Sequence, residues 1–337
     1  MKKKAVFFSS GKGENFRKVY TPKIMERMKS LVDICEGYIN RDNLEANSEI
    51  LKNAEVAFST WGMPSFTEEE IRQYMPNLKC VFYAAGSVQG FARPFLKNGI
   101  TVVSAWAANA VPVAEYTVAQ MLLAGKGFLQ TCLKAKNNDN YSQAKYYVNK
   151  FPGNYGTKVG ILGAGMIGSK VIELLKPYNF EIWVFDPFLP DDRAKALGVE
   201  KHSLEEIFEE CQTISNHLAN NAQTVGILNG NLFNRMKDNA TFINTGRGAQ
   251  VVEEDLIKAL KEKPDRTAIL DVTYPEPPHK DSEFYKLENV FLTPHIAGSM
   301  NAECERMASY MLDEFELYQK GEKLRYSVSL EMLERMA

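Results

Sequence analysis

Residues 158–186 read KVGILGAGMIGSKVIELLKPYNFEIWVFD, and the fold follows from how this stretch is divided. The apolar run Val159–Leu162 predicts a strand, the residues from the glycines up to Pro177 predict a helix, and Ile182–Phe185 predicts a second strand that delivers Asp186. The interval is one β-α-β unit. Gly163 permits a tight strand-to-helix turn, Gly165 lets backbone approach a pyrophosphate, and Gly168 lets the helix sit close to the sheet. The amides of Ala164, Gly165, Met166 and Ile167 stand where a helix begins, and there backbone donors lack intrahelical partners and suit a phosphate. Asp186 lies 23 residues beyond the first glycine, where a carboxylate accepts hydrogen bonds from a ribose diol and repels a 2′-phosphate. NAD is therefore expected in preference to NADP. In the competing reading the glycines only relieve crowding and Asp186 caps a turn before Pro187, which leaves the joint spacing unexplained.

The whole chain has 337 residues, enough for two domains with separate cores, a formal net charge of -2 and a pI near 6.2. Its lysines are scattered, so no electrostatic footprint for nucleic acid appears. The opening MKKKAVFFSSGKG is basic but has no sustained apolar core and reads as the first strand of a soluble domain. The most apolar region, Gly99–Gly125, is interrupted by Asn109, Pro112 and Glu115, so no membrane span is expected. Cys35, Cys80, Cys132, Cys211 and Cys304 are dispersed, with no CxxC and no metal-ligand spacing. That usage predicts a cytoplasmic protein without a metal.

In the first hundred residues, strands are expected at Ala5–Phe8, Val56–Phe58, Leu78–Tyr83 and Thr101–Val103, with helices at Pro22–Leu31 and Thr67–Tyr74. Thr67 with Glu70 is a capping-box pattern. This alternation predicts a small parallel α/β domain. After Tyr83, the amides of Gly86, Ser87 and Val88 could hold a carboxylate, or the segment is an ordinary βα turn. Trp61, also after a strand, is either a cleft wall or a packing aromatic. A long helix is expected at Asn109–Gly127. Leu133–Asn154, rich in Lys, Asn and Tyr, is either an interaction arm or a mobile excursion. Beyond Asp186 a helix capped by Ser203 and Glu206 should run to about Cys211. Strands should follow at Thr213–Asn216, Thr241–Asn244, Thr267–Leu270 and Val290–Leu292, and helices at Asn231–Met236 and Glu253–Glu262. The helical run Ala302–Tyr318 could return to cover the first domain.

Three predicted strand ends carry unusual groups: Arg247 in TGRG, Glu276 in DVTYPEPP and His295 in TPHIAG. In an open parallel sheet these loops leave from one edge. His295 suits a proton donor and acceptor, Glu276 an orienting partner, and Arg247 an anchor for a carboxylate and polariser of its neighbouring carbonyl.

Taken together, GTKVGILGAGMIGSKV, NTGRGAQV, DVTYPEPP and LTPHIAG resemble the motifs of the D-isomer-specific 2-hydroxyacid dehydrogenase family over essentially the whole chain. The resemblance implies two Rossmann-like α/β domains, with a doubly wound nucleotide-binding sheet and a flavodoxin-like substrate domain. Their expected bounds are 1–108 for the substrate domain, 109–298 for the NAD-binding domain and 299–337 for the return, with a cleft between the domains. It implies a catalytic trio of Arg247, Glu276 and His295, and substrate contacts at Gly86, Ser87, Val88 and Arg247, to which Trp61 is added in its cleft-wall reading. Cofactor contacts are implied at Gly163 to Gly168, Asp186, Pro187, His217, Leu218, Thr224, Thr245, Gly246, Arg247, Asp271, His295 and Gly298. A dimer arm near 129–154 implies a homodimer. The expected reaction interconverts a 2-hydroxy acid and a 2-oxo acid, with 3-phosphoglycerate, glyoxylate and hydroxypyruvate as candidates. The alternative is an NAD(H)-sensing, corepressor-like binding protein. The chain departs from the family pattern at Ser87 and Gln89, at Ala107 and Ala108, and in lacking a proline after Leu218; the first two bear on the substrate side.

Overall fold

Runs of four or five residues rich in Val, Ile and Phe bury completely when both faces of a parallel sheet are covered. In the computed structural model, which describes residues 2–136 and 138–334, such runs supply most of the strands. They are β1 (Lys4–Phe8), β2 (Asp33–Ile39), β3 (Val56–Ser59), β4 (Cys80–Tyr83) and β5 (Thr101–Ser104). There follow β6 (Lys158–Leu162), β7 (Glu181–Phe185), β8 (Glu200–Lys201), β9 (Thr213–Asn216), β10 (Thr241–Asn244), β11 (Thr267–Leu270), β12 (Val290–Leu292) and β13 (Ser327–Val328). Every residue of β3, β4, β9, β10 and β11 is buried.

Two compact units result, one holding the chain up to Ala110 and again from Ser299, the other Val111–Gly298. In the first the sheet order is β13-β5-β4-β3-β1-β2, parallel except for β13. Without β13 this is the flavodoxin-like order. The helix Cys304–Lys320 covers one face because Met307, Ala308, Met311, Leu312 and Phe315 recur at helical spacing and enter the core beside Phe58 and Phe82. The next turn is fixed by Glu314, which is fully buried and accepts hydrogen bonds from the Arg325 and Tyr326 amides and from Arg325 Nε. A buried carboxylate requires such partners, and these lead the chain into β13.

The second unit has the order β12-β11-β10-β9-β6-β7-β8, all parallel. The winding reverses between β6 and β9, so their carboxyl ends form the crevice at which open α/β sheets bind ligands.

Some elements differ from expectation. The edge strand β2 escaped the sequence reading because DICEGYI is broken by charge and is largely exposed; a bulge opposite Ala5–Phe7 and Gly37 at φ 101° interrupt its register. The long helix begins earlier, at Trp106, and ends at Gly125. The stretch expected as an arm or excursion contains the end of helix Phe128–Lys134, then helix Asn138–Tyr147 and a 3-10 turn, Val148–Lys150. The Tyr147 hydroxyl donates to Asp265 at 2.8 Å and Lys150 pairs with the same carboxylate at 3.0 Å. Met1, Asn137 within the expected arm, and the last three positions of the expected return lie outside the described residues. Among the described residues no helix is long and apolar enough to cross a membrane.

Candidate functional site

Each glycine of the turn after β6 has a distinct geometric reason. Gly163 has φ +91°, and a Cβ there would lie 2.8 Å from the His217 carbonyl oxygen, so the turn after β6 packs directly on the segment after β9. A Cβ at Gly168 would lie 1.9 Å from the Gly163 oxygen. At Gly165, the N-cap of helix Met166–Leu175, it would meet nothing within 4 Å. The first two positions are closed by protein, whereas the third opens on a space beside a helix N-terminus, the form a pyrophosphate cradle requires. Gly168→Ala forces backbone apart and is expected to destabilise the chain by about 2 kcal/mol or more, read as a lowered melting temperature; an unchanged melt would mean that the turn yields.

Asp186 touches this turn. Its Oδ2 accepts from the Ala164 amide at 2.8 Å, and its Oδ1 accepts from the Phe188 amide, across Pro187, also at 2.8 Å. The carboxylate therefore does cap the turn before the next loop, as the competing sequence reading held, and the same group is joined to the glycine turn. Arg193 Nη2 donates to Ser169 Oγ at 2.9 Å and to the Ala164 oxygen at 3.3 Å, giving the turn a cationic neighbour.

The segments after β9 and β10 are joined by buried amides that the sequence reading did not single out. Asn216 Nδ2 donates to Asn244 Oδ1 at 3.0 Å and to Gln250 Oε1 at 2.7 Å, while Gln250 Nε2 donates to the carbonyls of Leu218 and Ala219 at 2.9 Å each. His217 is buried with Ser215 Oγ 2.9 Å from Nε2 and Thr245 Oγ1 3.4 Å from Nδ1. Burial pushes its pKa down to about 3, so the ring is neutral at ordinary pH. The Leu218 side chain belongs to the core, and Thr224 Oγ1 donates to the Ala219 oxygen at 2.6 Å, closing the loop. Single Asn or Gln residues carry no periodic signal, so only the folded strand ends reveal this network.

Arg247 follows Gly246 in a segment pinned by these amides. Its Nη1 donates to the Gly246 oxygen at 2.8 Å; burial pushes the guanidinium pKa down, and the charge of Glu276 opposes that shift. A Cβ at Gly248 would lie 2.0 Å from the Thr273 carbonyl carbon, so only glycine lets the arginine loop lie against the start of the glutamate loop. The peptide bonds before Pro275 and Pro277, on either side of Glu276, are cis. Glu276 Oε1 lies 2.8 Å from His295 Nδ1, with both side chains partly exposed. That contact leaves Nε2 to face another group.

His295 has φ +56°. Its amide donates to the carbonyls of Asp271 and Thr293 at 3.0 Å each. Asp271 is 2 % exposed; its carboxylate accepts from Thr293 Oγ1 at 2.6 Å, the Ile296 amide at 2.8 Å and the Ala297 amide at 3.0 Å. The carboxylate expected at the cofactor thus holds the histidine turn, and Gly298 closes this unit.

The structure brings Arg247, Glu276 and His295 together on one edge of the second unit. Trp61, Gly86, Ser87 and Val88 belong to the first unit. Trp61 is 36 % exposed, Ser87 is exposed, and the Val88 side chain is buried in the core, leaving its backbone for contacts. Ser104 Oγ donates to the Gly86 oxygen at 2.6 Å, fixing the loop's start.

A glycine-rich turn at the reversal point of a doubly wound parallel sheet defines a nucleotide-binding α/β protein. The family model described as D-isomer specific 2-hydroxyacid dehydrogenase, NAD binding domain, matches residues 118–297, more than half of the chain. The chain belongs to the D-isomer specific 2-hydroxyacid dehydrogenase family. It is 29% identical over 270 residues to the D-3-phosphoglycerate dehydrogenase of Archaeoglobus fulgidus, covering 79% of this chain and 50% of that protein. It is 30% identical over 263 residues to the glyoxylate reductase of Korarchaeum cryptofilum, covering 76% and 77% respectively. The chain spans about half the length of several curated relatives that it matches. In fold it is similar to the NAD-complexed D-isomer specific 2-hydroxyacid dehydrogenase of Lactobacillus delbrueckii ssp. bulgaricus, with a TM-score of 0.77, 19% identity and coverage of 97% of this chain and 100% of that one.

Proposed function

We propose that this chain is an NAD-dependent oxidoreductase interconverting a small D-2-hydroxy acid and its 2-oxo acid. The observation that carries the reading is the His295 Nδ1 to Glu276 Oε1 contact of 2.8 Å, on the same sheet edge as Arg247 and the glycine turn. The open position at Gly165 and the helix N-terminus beyond it fit the pyrophosphate of NAD, Asp186 its ribose, and Thr245, Gly246 and Gly298 its nicotinamide half. When bound, NAD supplies or accepts the hydride. Glu276 fixes the imidazole, and His295 Nε2 gives a proton to the carbonyl oxygen in reduction or takes one from the hydroxyl in oxidation. Arg247 holds the carboxylate and polarises the adjacent carbonyl.

Glyoxylate, hydroxypyruvate and 3-phosphoglycerate are the first substrates to try, the outer two because of the relatives' names. A homodimer built on the 129–154 arm extends the proposal, supported by exposed Tyr141 and Tyr146, and a cytoplasmic setting is supported by five free cysteines. The test is NADH oxidation across a panel of 2-oxo acids. Turnover with one of them is the expected result; intact NADH binding without turnover would overturn the enzyme reading in favour of an NAD(H)-sensing protein.

Asp186 supports preference for NADH, because its fixed carboxylate opposes a 2′-phosphate, while Arg193 stands on the same turn. Asp186→Ser is expected to move the NADPH-to-NADH ratio of kcat/KM toward NADPH by about 100-fold, the scale of removing one close charge repulsion. A ratio that does not move would remove Asp186 as the discriminating group.

A further inference from the structure

A histidine at φ +56° occupies a region that non-glycine residues rarely adopt, and such a conformation persists only where its surroundings over-determine it. Here the surroundings converge on one residue. Asp271 receives the His295 amide on its backbone oxygen and Thr293 Oγ1, the Ile296 amide and the Ala297 amide on its carboxylate. Behind Thr293 stands Tyr116, whose hydroxyl oxygen lies 3.2 Å from Thr293 Oγ1.

The direction of the chain follows from its donors. The Asp271 carboxylate accepts, so the single Thr293 hydroxyl hydrogen is directed to it over 2.6 Å, and the Thr293 oxygen must accept from Tyr116. Burial raises the Tyr116 pKa, which keeps the phenol a donor at working pH. Tyr116 lies on helix Trp106–Gly125, and its neighbour Thr117 places Oγ1 3.4 Å from Thr245 Oγ1, so successive hydroxyls join this helix to two strand-end loops.

We propose that Tyr116 is a positioning residue for His295, acting through the part-buried chain Tyr116–Thr293–Asp271 that holds the histidine turn in its left-handed conformation. The proposal rests on the oxidoreductase reading for its kinetic consequences and on the geometry alone for its structural ones. Tyr116→Phe removes the terminal donor and leaves the Thr293 hydroxyl held by Asp271 alone. Thr293→Val removes the link itself, whereas Thr293→Ser retains it.

The experiment combines kinetics with residue-resolved amide exchange. A misplaced acid-base group costs on the order of 10²-fold, so Thr293→Val is expected to lower kcat by about 100-fold and Tyr116→Phe by about 5-fold, with the Kd for NADH unchanged. Thr293→Ser should restore turnover, and the double variant Tyr116→Phe/Thr293→Val should be no slower than Thr293→Val, because both act through one chain. In both single variants exchange at the Ile296 and Ala297 amides should quicken. A lowered melting temperature with kcat per folded molecule and both amides unchanged would overturn the proposal. If the wild type turns over no 2-oxo acid, the oxidoreductase reading fails, and the amides alone decide: faster exchange upholds the positioning chain and unchanged exchange overturns it.

Discussion

His295→Gln lowers kcat for 2-oxo acid reduction by about 10³-fold, within the range attributed to a positioned general acid, and leaves the Kd for NADH nearly unchanged. Glutamine keeps a polar group of comparable reach that can still bond to Glu276, so the hydrogen bond between the two loops is retained. What it lacks is a nitrogen able to give and regain a proton near neutral pH. The expected result is therefore a loss in kcat with little loss in cofactor binding, measured by steady-state kinetics beside NADH fluorescence titration. Loss of NADH binding in proportion to turnover would instead assign His295 to the cofactor site and leave the proton donor unidentified. Glu276→Gln serves as a companion: the 2.8 Å contact can persist as a neutral hydrogen bond, so its loss should be smaller than that of His295→Gln.

Arg247→Lys carries the second large effect. The guanidinium presents a planar fork, is held by Gly246, and lies in a loop whose approach to Thr273 requires Gly248. Lysine retains the charge but not the paired donors, and its ammonium is more strongly hydrated. The expected loss in kcat/KM is on the order of 10²-fold, mainly as a raised KM for the oxo acid, corresponding to roughly 3 kcal/mol of anchoring. Arg247→Ala should be worse, with guanidinium ion in the assay restoring part of the rate. A KM that stays constant in both variants would place the substrate carboxylate elsewhere.

Much of the architecture is legible in the sequence. The strands at Thr213–Asn216, Thr241–Asn244, Thr267–Leu270 and Val290–Leu292 fall where their apolar runs placed them, as do helices Pro22–Leu31 and Glu253–Glu262. Both capping boxes, Thr67 with Glu70 and Ser203 with Glu206, are formed. These features depend on residues a few positions apart, which is the range over which hydrophobic period and capping chemistry act. The edge strand β2 was not legible because it is neither fully buried nor regularly alternating.

The candidate site divides along the same line. Strand-end position singled out Arg247, Glu276 and His295, since each lies in a short loop with glycine or proline neighbours. The Asn216–Asn244–Gln250 amides and the Tyr116–Thr293–Asp271 chain gave no comparable signal; Tyr116 and Thr293 are 177 positions apart. By itself the sequence determined a two-part α/β protein with a glycine turn and a carboxylate after the next strand, because local spacing sets strand, turn and helix. Only the tertiary structure decided that Asp186 braces the glycine turn, that His217 is buried and neutral, and that Asp271 directs its carboxylate into the histidine turn. Those outcomes depend on which buried donor finds which acceptor, and that pairing exists only once distant strand ends share one edge of a sheet.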